Sequence, residues 1–118
     1  MTVYERVLAA TKPFKLPTSP QVYTGTADTY LTVDSQIPET VDGDDSPVFA
    51  YYQVTMELYS PIRKDTVGLC EALQQAIYGA GFSFPVVTPG GLSLDGARKC
   101  QIFSFGRWDD WQPSTLMT

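Results

Sequence analysis

Residues 49–82 read FAYYQVTMELYSPIRKDTVGLCEALQQAIYGAGF, and this stretch decides the fold. In its first third, apolar and mixed side chains alternate with a period of two, which predicts a strand over 49–59 with one apolar face. The apolar row is Tyr52, Val54, Met56 and Leu58, and the mixed row is Tyr51, Gln53, Thr55, Glu57 and Tyr59. Ser60-Pro61 ends the strand, because proline has no N–H to donate to a neighbouring strand.

The second half of the stretch has the period of a helix. Apolar residues recur at intervals of three and four, at Leu69, Cys70, Leu73, Ala76, Ile77 and Ala80. This stripe predicts an amphipathic helix over about 65–79 that packs on the apolar face of the strand. Gly79 and Gly81 favour a left-handed end to the helix, with Phe82 packing back against it.

The remaining elements are shorter. Thr2 and Glu5 fit a capping box, which predicts a helix from about 2 to 11. Residues 12–21 predict an extended connector, Val22–Thr24 a short strand, and 29–37 a better one. An edge strand is expected over 84–88 and a final aromatic strand over 99–108. The order predicts an α+β fold, with a mainly antiparallel sheet of four or five strands and two helices on one face.

Length and charge limit the possibilities further. At 118 residues we expect one α+β domain over 1–108, followed by a flexible or partner-bound tail over 109–118. No apolar run approaches the roughly 18–20 residues of a membrane span, so no membrane partner is expected. Between Lys15 and Arg63 there are seven acidic residues and no basic one. This balance disfavours tight binding of nucleic acid.

The acidic residues concentrate in a polar segment, Pro38 to Pro47. It joins two strands that are expected to pair antiparallel, so we predict a long hairpin loop that faces a channel or a partner. Its acidic residues are Glu39, Asp42, Asp44 and Asp45. They lack the ligand spacing of a calcium-binding EF-hand loop.

Motifs for catalysis or cofactor binding are absent from the sequence. The chain contains no histidine, so neither the most frequent general base nor a recognisable zinc site can be assembled. Cys70 and Cys100 are expected to be reduced thiols in regular elements, although the sequence leaves a disulfide open. We therefore predict no catalytic, metal or cofactor-binding residue.

Aromatic residues are the more informative set. Tyr and Trp are favoured at protein interfaces, because they bury a large area and keep a polar group. The candidate interface residues are Tyr30, Tyr51, Tyr59, Trp108 and Trp111. Packing beneath loops is the alternative role for these side chains.

The order of elements resembles the tail terminator (tail completion) proteins of long-tailed bacteriophages. The matching parts span about residues 1–108: an N-terminal helix, the strand TYLTV at 29–33, a polar excursion and the strand YYQVTMELY at 51–59. They continue with the turn SPIRKD at 60–65, a helix that ends in GAGF at 79–82, and an aromatic last strand. The proline-rich connector and the long acidic segment depart from the family pattern.

The resemblance implies a structural, non-enzymatic virion protein without a cofactor. Such a protein forms a homo-hexameric ring that caps the tail tube and joins it to the head. Its partners would be itself, the tail tube protein and a neck or head-completion protein, while DNA passes without specific binding. It would be assembled in the host cytoplasm and located in the virion. The alternative is a small ferredoxin-like dimeric enzyme or ligand-binding domain, which a pocket lined by Tyr30, Tyr51 and Tyr59 would favour.

Overall fold

A long antiparallel ribbon forms the centre of the protein. The computed structural model describes residues 2–35, 39–42 and 47–110. The elements in chain order are helix α1 (Val3–Thr11), a 3-10 turn (Lys12–Phe14), strands β1 (Thr18–Pro20), β2 (Tyr30–Ser35), β3 (Glu39–Asp42) and β4 (Pro47–Pro61), helix α2 (Val67–Gly79), and strands β5 (Val86–Leu92) and β6 (Arg98–Asp110).

The sheet has the order β1-β2-β4-β6-β5, and β3 pairs with the N-terminal end of β4. Among the described strands, only β1 and β2 run parallel. β4 pairs with β6 over thirteen consecutive positions, from Phe49–Asp110 to Pro61–Arg98. The predicted α+β class and mainly antiparallel sheet are therefore confirmed.

Both helices pack on the same face of this sheet. Val3 and Val7 of α1 and Leu73 and Ile77 of α2 are fully buried, and they belong to one core cluster. The strand residues of that cluster include Leu31, Val33, Ala50, Tyr52, Val54, Met56, Leu58, Phe103 and Phe105. The period-two row of β4 and the helical stripe of α2 therefore meet as predicted.

Local interactions fix the start of α1 and the end of α2. The Thr2 hydroxyl accepts the Glu5 amide at 3.1 Å and Glu5 Oε1 accepts the Thr2 amide at 2.8 Å, which is the predicted capping box. α2 ends at Gly79, and Gly81 follows with a φ of +97°, a left-handed conformation that favours glycine. Phe82 then packs edge-on against Phe105, with 5.1 Å between the ring centroids.

Several boundaries differ from the predictions. β4 runs from Pro47 to Pro61 rather than over 49–59, and β5 runs from Val86 to Leu92 rather than over 84–88. The short strand of the connector is β1 rather than Val22–Thr24, because Thr18–Pro20 pairs with Leu31–Val33. The hairpin loop is shorter than predicted, since β3 continues the pairing along β4. β6 extends to Asp110, two residues beyond its predicted end, and residues 111–118 lie outside the described part of the chain.

Replacing Leu73 by alanine tests the packing of α2 on the sheet. Because Leu73 is fully buried in the core cluster, Leu73→Ala should lower the free energy of unfolding by about 2–5 kcal/mol. Gln75→Ala, on the exposed side of the same helix, is the matched control and should change it by less than about 0.5 kcal/mol. Equal, small losses in a urea titration would show that the packed side of α2 is wrongly assigned.

Candidate interaction surface

The sheet face opposite the helices is the candidate functional surface. We call it the outer face and define it by the alternate residues of β4 from Phe49 to Tyr59 and of β6 from Arg98 to Asp110. Because the β4–β6 register is uninterrupted, paired residues project to the same side along the whole ribbon. The β4 residues of this face from Tyr51 to Tyr59 are half-buried, whereas the intervening β4 residues from Ala50 to Ser60 are buried.

One end of the outer face carries a stack of three tyrosines. The Tyr30 ring lies 4.3 Å from that of Tyr23 and 5.0 Å from that of Tyr59, measured between centroids. Arg98 lies over Tyr30, with its guanidinium carbon 5.8 Å from the ring centroid. These side chains help to line an open cleft of about 350 Å³. We call this end the tyrosine cleft.

Arg98 holds the loop before β2 against the cleft. Its Nε donates to the Asp28 carbonyl oxygen at 3.0 Å, and its Nη2 donates to the Ala27 carbonyl oxygen at 3.2 Å. The guanidinium also lies 4.0 Å from the carboxylates of Asp28 and Asp95. Its charge and two of its five N–H donors are therefore already used within the chain.

The opposite end of the outer face carries an exposed aromatic pair. Tyr51 and Trp108 pack edge to face with 5.3 Å between centroids, and Trp108 is 58% exposed. Phe49 follows on the same row of β4 and is 51% exposed. Tyr51 and Tyr59 are eight residues apart, so the aromatic pair lies roughly 27 Å from the tyrosine cleft.

The structure thus brings four of the five predicted interface residues onto one face, in two separate clusters. Trp111 lies outside the described residues. The sequence reasoning missed Tyr23 and Arg98, which reach the cleft through long-range contacts. It also missed Phe49, although this residue continues the outer row of β4 and period two identifies it.

The predicted acidic loop is partly corrected. Glu39 and Asp42 are in β3, where they pair with Tyr51 and Pro47 of β4. They are strand residues rather than loop residues, because β4 is long enough to pair with β2 and β3 in succession. Asp44 and Asp45 lie outside the described residues.

A carboxylate with two hydrogen-bond donors lies beside the cleft. The Tyr59 hydroxyl donates to Glu57 Oε2 at 2.7 Å, and the Cys100 thiol donates to the same oxygen at 3.3 Å. Burial, the hydrogen bond to Glu57 and its negative charge raise the pKa of Cys100 to about 12. Burial and the Glu57 hydrogen bond also raise the pKa of Tyr59. Cys100 is therefore a protonated thiol at neutral pH, and a weak nucleophile.

The two cysteines are separate free thiols. Cys70 is on the buried side of α2 and belongs to the core cluster, whereas Cys100 is buried on the outer face beside Glu57. Within the described residues, no group of three His, Cys, Asp or Glu side chains is placed to hold a metal ion.

Raising the pH tests the Cys100 environment. A folded pKa of about 12 against a reference of 9.0 means that folding favours the protonated thiol. Its stability contribution is complete below pH 9 and is lost as the pH rises from 9 to 12. The difference in unfolding free energy between the wild type and Cys100→Ala should therefore narrow across this range. Parallel stability curves for the two proteins would contradict the assignment.

Comparisons with known proteins bear on the fold. No protein-family model matches the chain, and a search of curated proteins returned no match. One similar solved structure, which has no functional name, aligns with 94% of this chain and 89% of its own, at 15% identity and a TM-score of 0.55. At this identity the likeness supports the α+β fold alone. In the described part of the chain, no helix has the length and apolar character needed to cross a bilayer.

Proposed function

We propose that this protein is a structural virion-assembly protein of the tail terminator type. Six copies would form a ring that caps the phage tail tube and joins it to the head. The observation that carries the proposal is the uncovered outer face, with its exposed aromatic residues, on a sheet with open edges. These surfaces suit contacts with other proteins.

The sheet edges supply the contacts that a ring requires. β5 forms one edge of the described sheet, and β1 and β3 lie along the other side. Two different edges allow each copy to contact the next one head to tail, and a heterologous contact of this kind closes into a ring when the rotation permits. The outer face then remains for a further partner, either the tail tube protein or a neck or head-completion protein.

The order of elements agrees with the resemblance on which the proposal depends. The elements follow one another in the expected order. They are the N-terminal helix, β2, the long β4, the turn after Pro61, α2 with Gly81 beyond its end, and the aromatic β6. The Cys100 thiol beside Glu57 is held protonated, which does not favour the enzymatic alternative. A role in the virion, after assembly in the host cytoplasm, follows from the proposal.

Assembly on tail tubes tests this function directly. Purified protein mixed with tail tubes that lack a terminator should give a ring at one tube end in negative-stain electron micrographs. Leu92→Lys should prevent ring formation, because Leu92 is 62% exposed on the open β5 edge and a lysine there opposes edge pairing. Gln75→Lys, on the exposed side of α2, should leave the rings intact. Bare tube ends with the wild-type protein would refute the proposal.

The acidic segment gives an independent prediction about DNA passage. We propose that its carboxylates face the lumen of the ring, where a negative wall keeps DNA from adhering because no counterions are released on contact. Changing Asp42, Asp44 and Asp45 together to lysine should leave ring formation intact, create salt-sensitive DNA binding in a filter assay, and slow DNA ejection. A matched change to asparagine should create no DNA binding. Unchanged ejection and no DNA binding by the lysine variant would place the segment on the outer rim.

The tyrosine cleft favours a second candidate, a small ligand-binding domain. The cleft contains Tyr30 and Tyr59 but not the predicted third residue, Tyr51, which packs against Trp108 instead. Saturable binding of a small aromatic molecule that is lost in Tyr30→Ala, without any binding to tail tubes, would support this candidate over the terminator.

A further inference from the structure

The outer-face residues of β4 and β6 can be compared in pairs that lie at equal distances on either side of the centre of the ribbon. Thirteen consecutive pairs join β4 and β6, and the central one is Thr55–Ser104. Both central residues project to the outer face. Because the register has no bulge between Phe49 and Pro61, residues at equal distances on either side of this pair occupy equivalent positions in opposite halves of the face.

The two ends of the outer face on β6 are complementary in charge. Arg98 and Asp110 are each six residues from Ser104, and they carry opposite charges.

On β4, the two outer-face residues nearest to Thr55 are complementary in hydrogen bonding. Glu57 and Gln53 are each two residues from Thr55, so that a carboxylate corresponds to an amide donor. Tyr59 and Tyr51 are each four residues away, and two aromatic rings correspond.

We propose that two copies of this chain pair outer face to outer face around a two-fold axis. The axis lies in the interface plane, runs perpendicular to the strands and passes Thr55 and Ser104. It places β4 over β4 and β6 over β6 with reversed directions, so that each residue meets the one at the same distance on the other side of the centre. Such a contact is isologous, since each pairing occurs twice.

The shape of the face agrees with this pairing. The loop that carries Tyr23 and the turn that carries Leu94 rise beside the tyrosine cleft at one end. The exposed Trp108 and its neighbour Tyr51 project at the other end. The two-fold axis brings Tyr51 and Trp108 of each copy over the tyrosine cleft of the other copy. The same rotation therefore fills the cleft at both ends of the interface.

The area suits a reversible dimer. The seven outer-face positions from Arg98 to Asp110 span ~40 Å and the three strands present in both halves of the face span ~14 Å, which gives ~560 Å² per copy. About 1,100 Å² in total is the size of a weak or transient interface. Two packed sheets keep their strand directions within about 30° of each other, and the proposed arrangement satisfies this condition.

Two residues beside the axis meet their own counterparts. Val86 of β5, opposite Ser104 in the sheet and 62% exposed, contributes an apolar contact. Asp34 of β2, opposite Thr55, is exposed. In the dimer, the two copies of Asp34 would face each other beside the axis, so that two negative charges come together. Arg98 also shares its charge with Asp28 and Asp95. The dimer should therefore be reversible, and Asp34→Asn should tighten it.

The inference concerns the free chain and does not rest on the proposed function. A face-to-face pair leaves β5 and the β1 and β3 side open, so it does not compete with ring formation through the edges. It covers the exposed aromatic residues until the outer face meets another partner.

Opposite charges at the axis test the proposal, because a residue on a two-fold axis meets itself. Ser104→Glu and Ser104→Lys should each weaken dimerisation at least about tenfold, since like charges then face each other. An equimolar mixture of the two variants should dimerise again as a one-to-one heterodimer. Gln75→Glu and Gln75→Lys are the matched controls and should behave like the wild type. Sedimentation velocity and native mass spectrometry measure the states, and circular dichroism verifies the fold.

Mixing the two charged variants separates a loss of dimerisation from a folding defect, because misfolded variants would not form a heterodimer. If either variant misfolds, the equivalent pair at Thr55, Thr55→Glu and Thr55→Lys, repeats it on the neighbouring strand. A wild-type monomer at micromolar concentrations would overturn the inference. Dimers of both charged variants that are as tight as the wild type, or a mixture that does not restore pairing, would overturn it as well.

Discussion

The uninterrupted pairing of β4 with β6 is the constraint on which the rest of the structure depends. Its constant register assigns every residue from Phe49 to Pro61 to one of two faces. A slip of one residue would exchange the faces and expose Tyr52, Val54 and Met56 to water. Neither helix could then bury its stripe, since α1 and α2 share a single core cluster with these side chains. The same ladder makes the outer face regular, because a bulge would have turned one end away from the other.

Glycines allow the outer face to stay flat where neighbours approach. A Cβ at Gly90 would lie 2.8 Å from the Cys100 sulfur and 2.9 Å from Ile102, so β5 can cover these residues only with glycine there. A Cβ at Gly106 would collide with the Tyr51 hydroxyl and lie 2.7 Å from the Tyr52 carbonyl oxygen. The Tyr51–Trp108 contact therefore depends on a missing side chain, and this link between sequence and surface appears only when the strands are paired.

Sequence periodicity predicted what local patterning controls. The rows of β4, the stripe of α2 and the capping box at Thr2 each follow from residue spacing. β1 was misplaced because its pairing with β2 depends on the path of the connector, which Gln21 turns at a φ of +60°. The tyrosine cleft was missed for the same reason: Tyr23 and Arg98 are far apart in sequence, and only the folded sheet brings both to Tyr30. Four aromatic site residues were nevertheless identified, because alternation assigns them to the face opposite the core.

Several polar groups of the outer face already have hydrogen-bond partners within the chain, and this agrees with the proposed role of the face in recognition. Glu57 accepts hydrogen bonds from Tyr59 and Cys100, so its charge stabilises two protonated groups rather than activating a nucleophile. Arg98 donates hydrogen bonds from Nη2 and Nε to the Ala27 and Asp28 carbonyl oxygens. A partner would contact the aromatic side chains of this face, the tyrosine cleft at one end and the Tyr51–Trp108 pair at the other. A surface of this kind gains affinity by excluding water from a complementary surface.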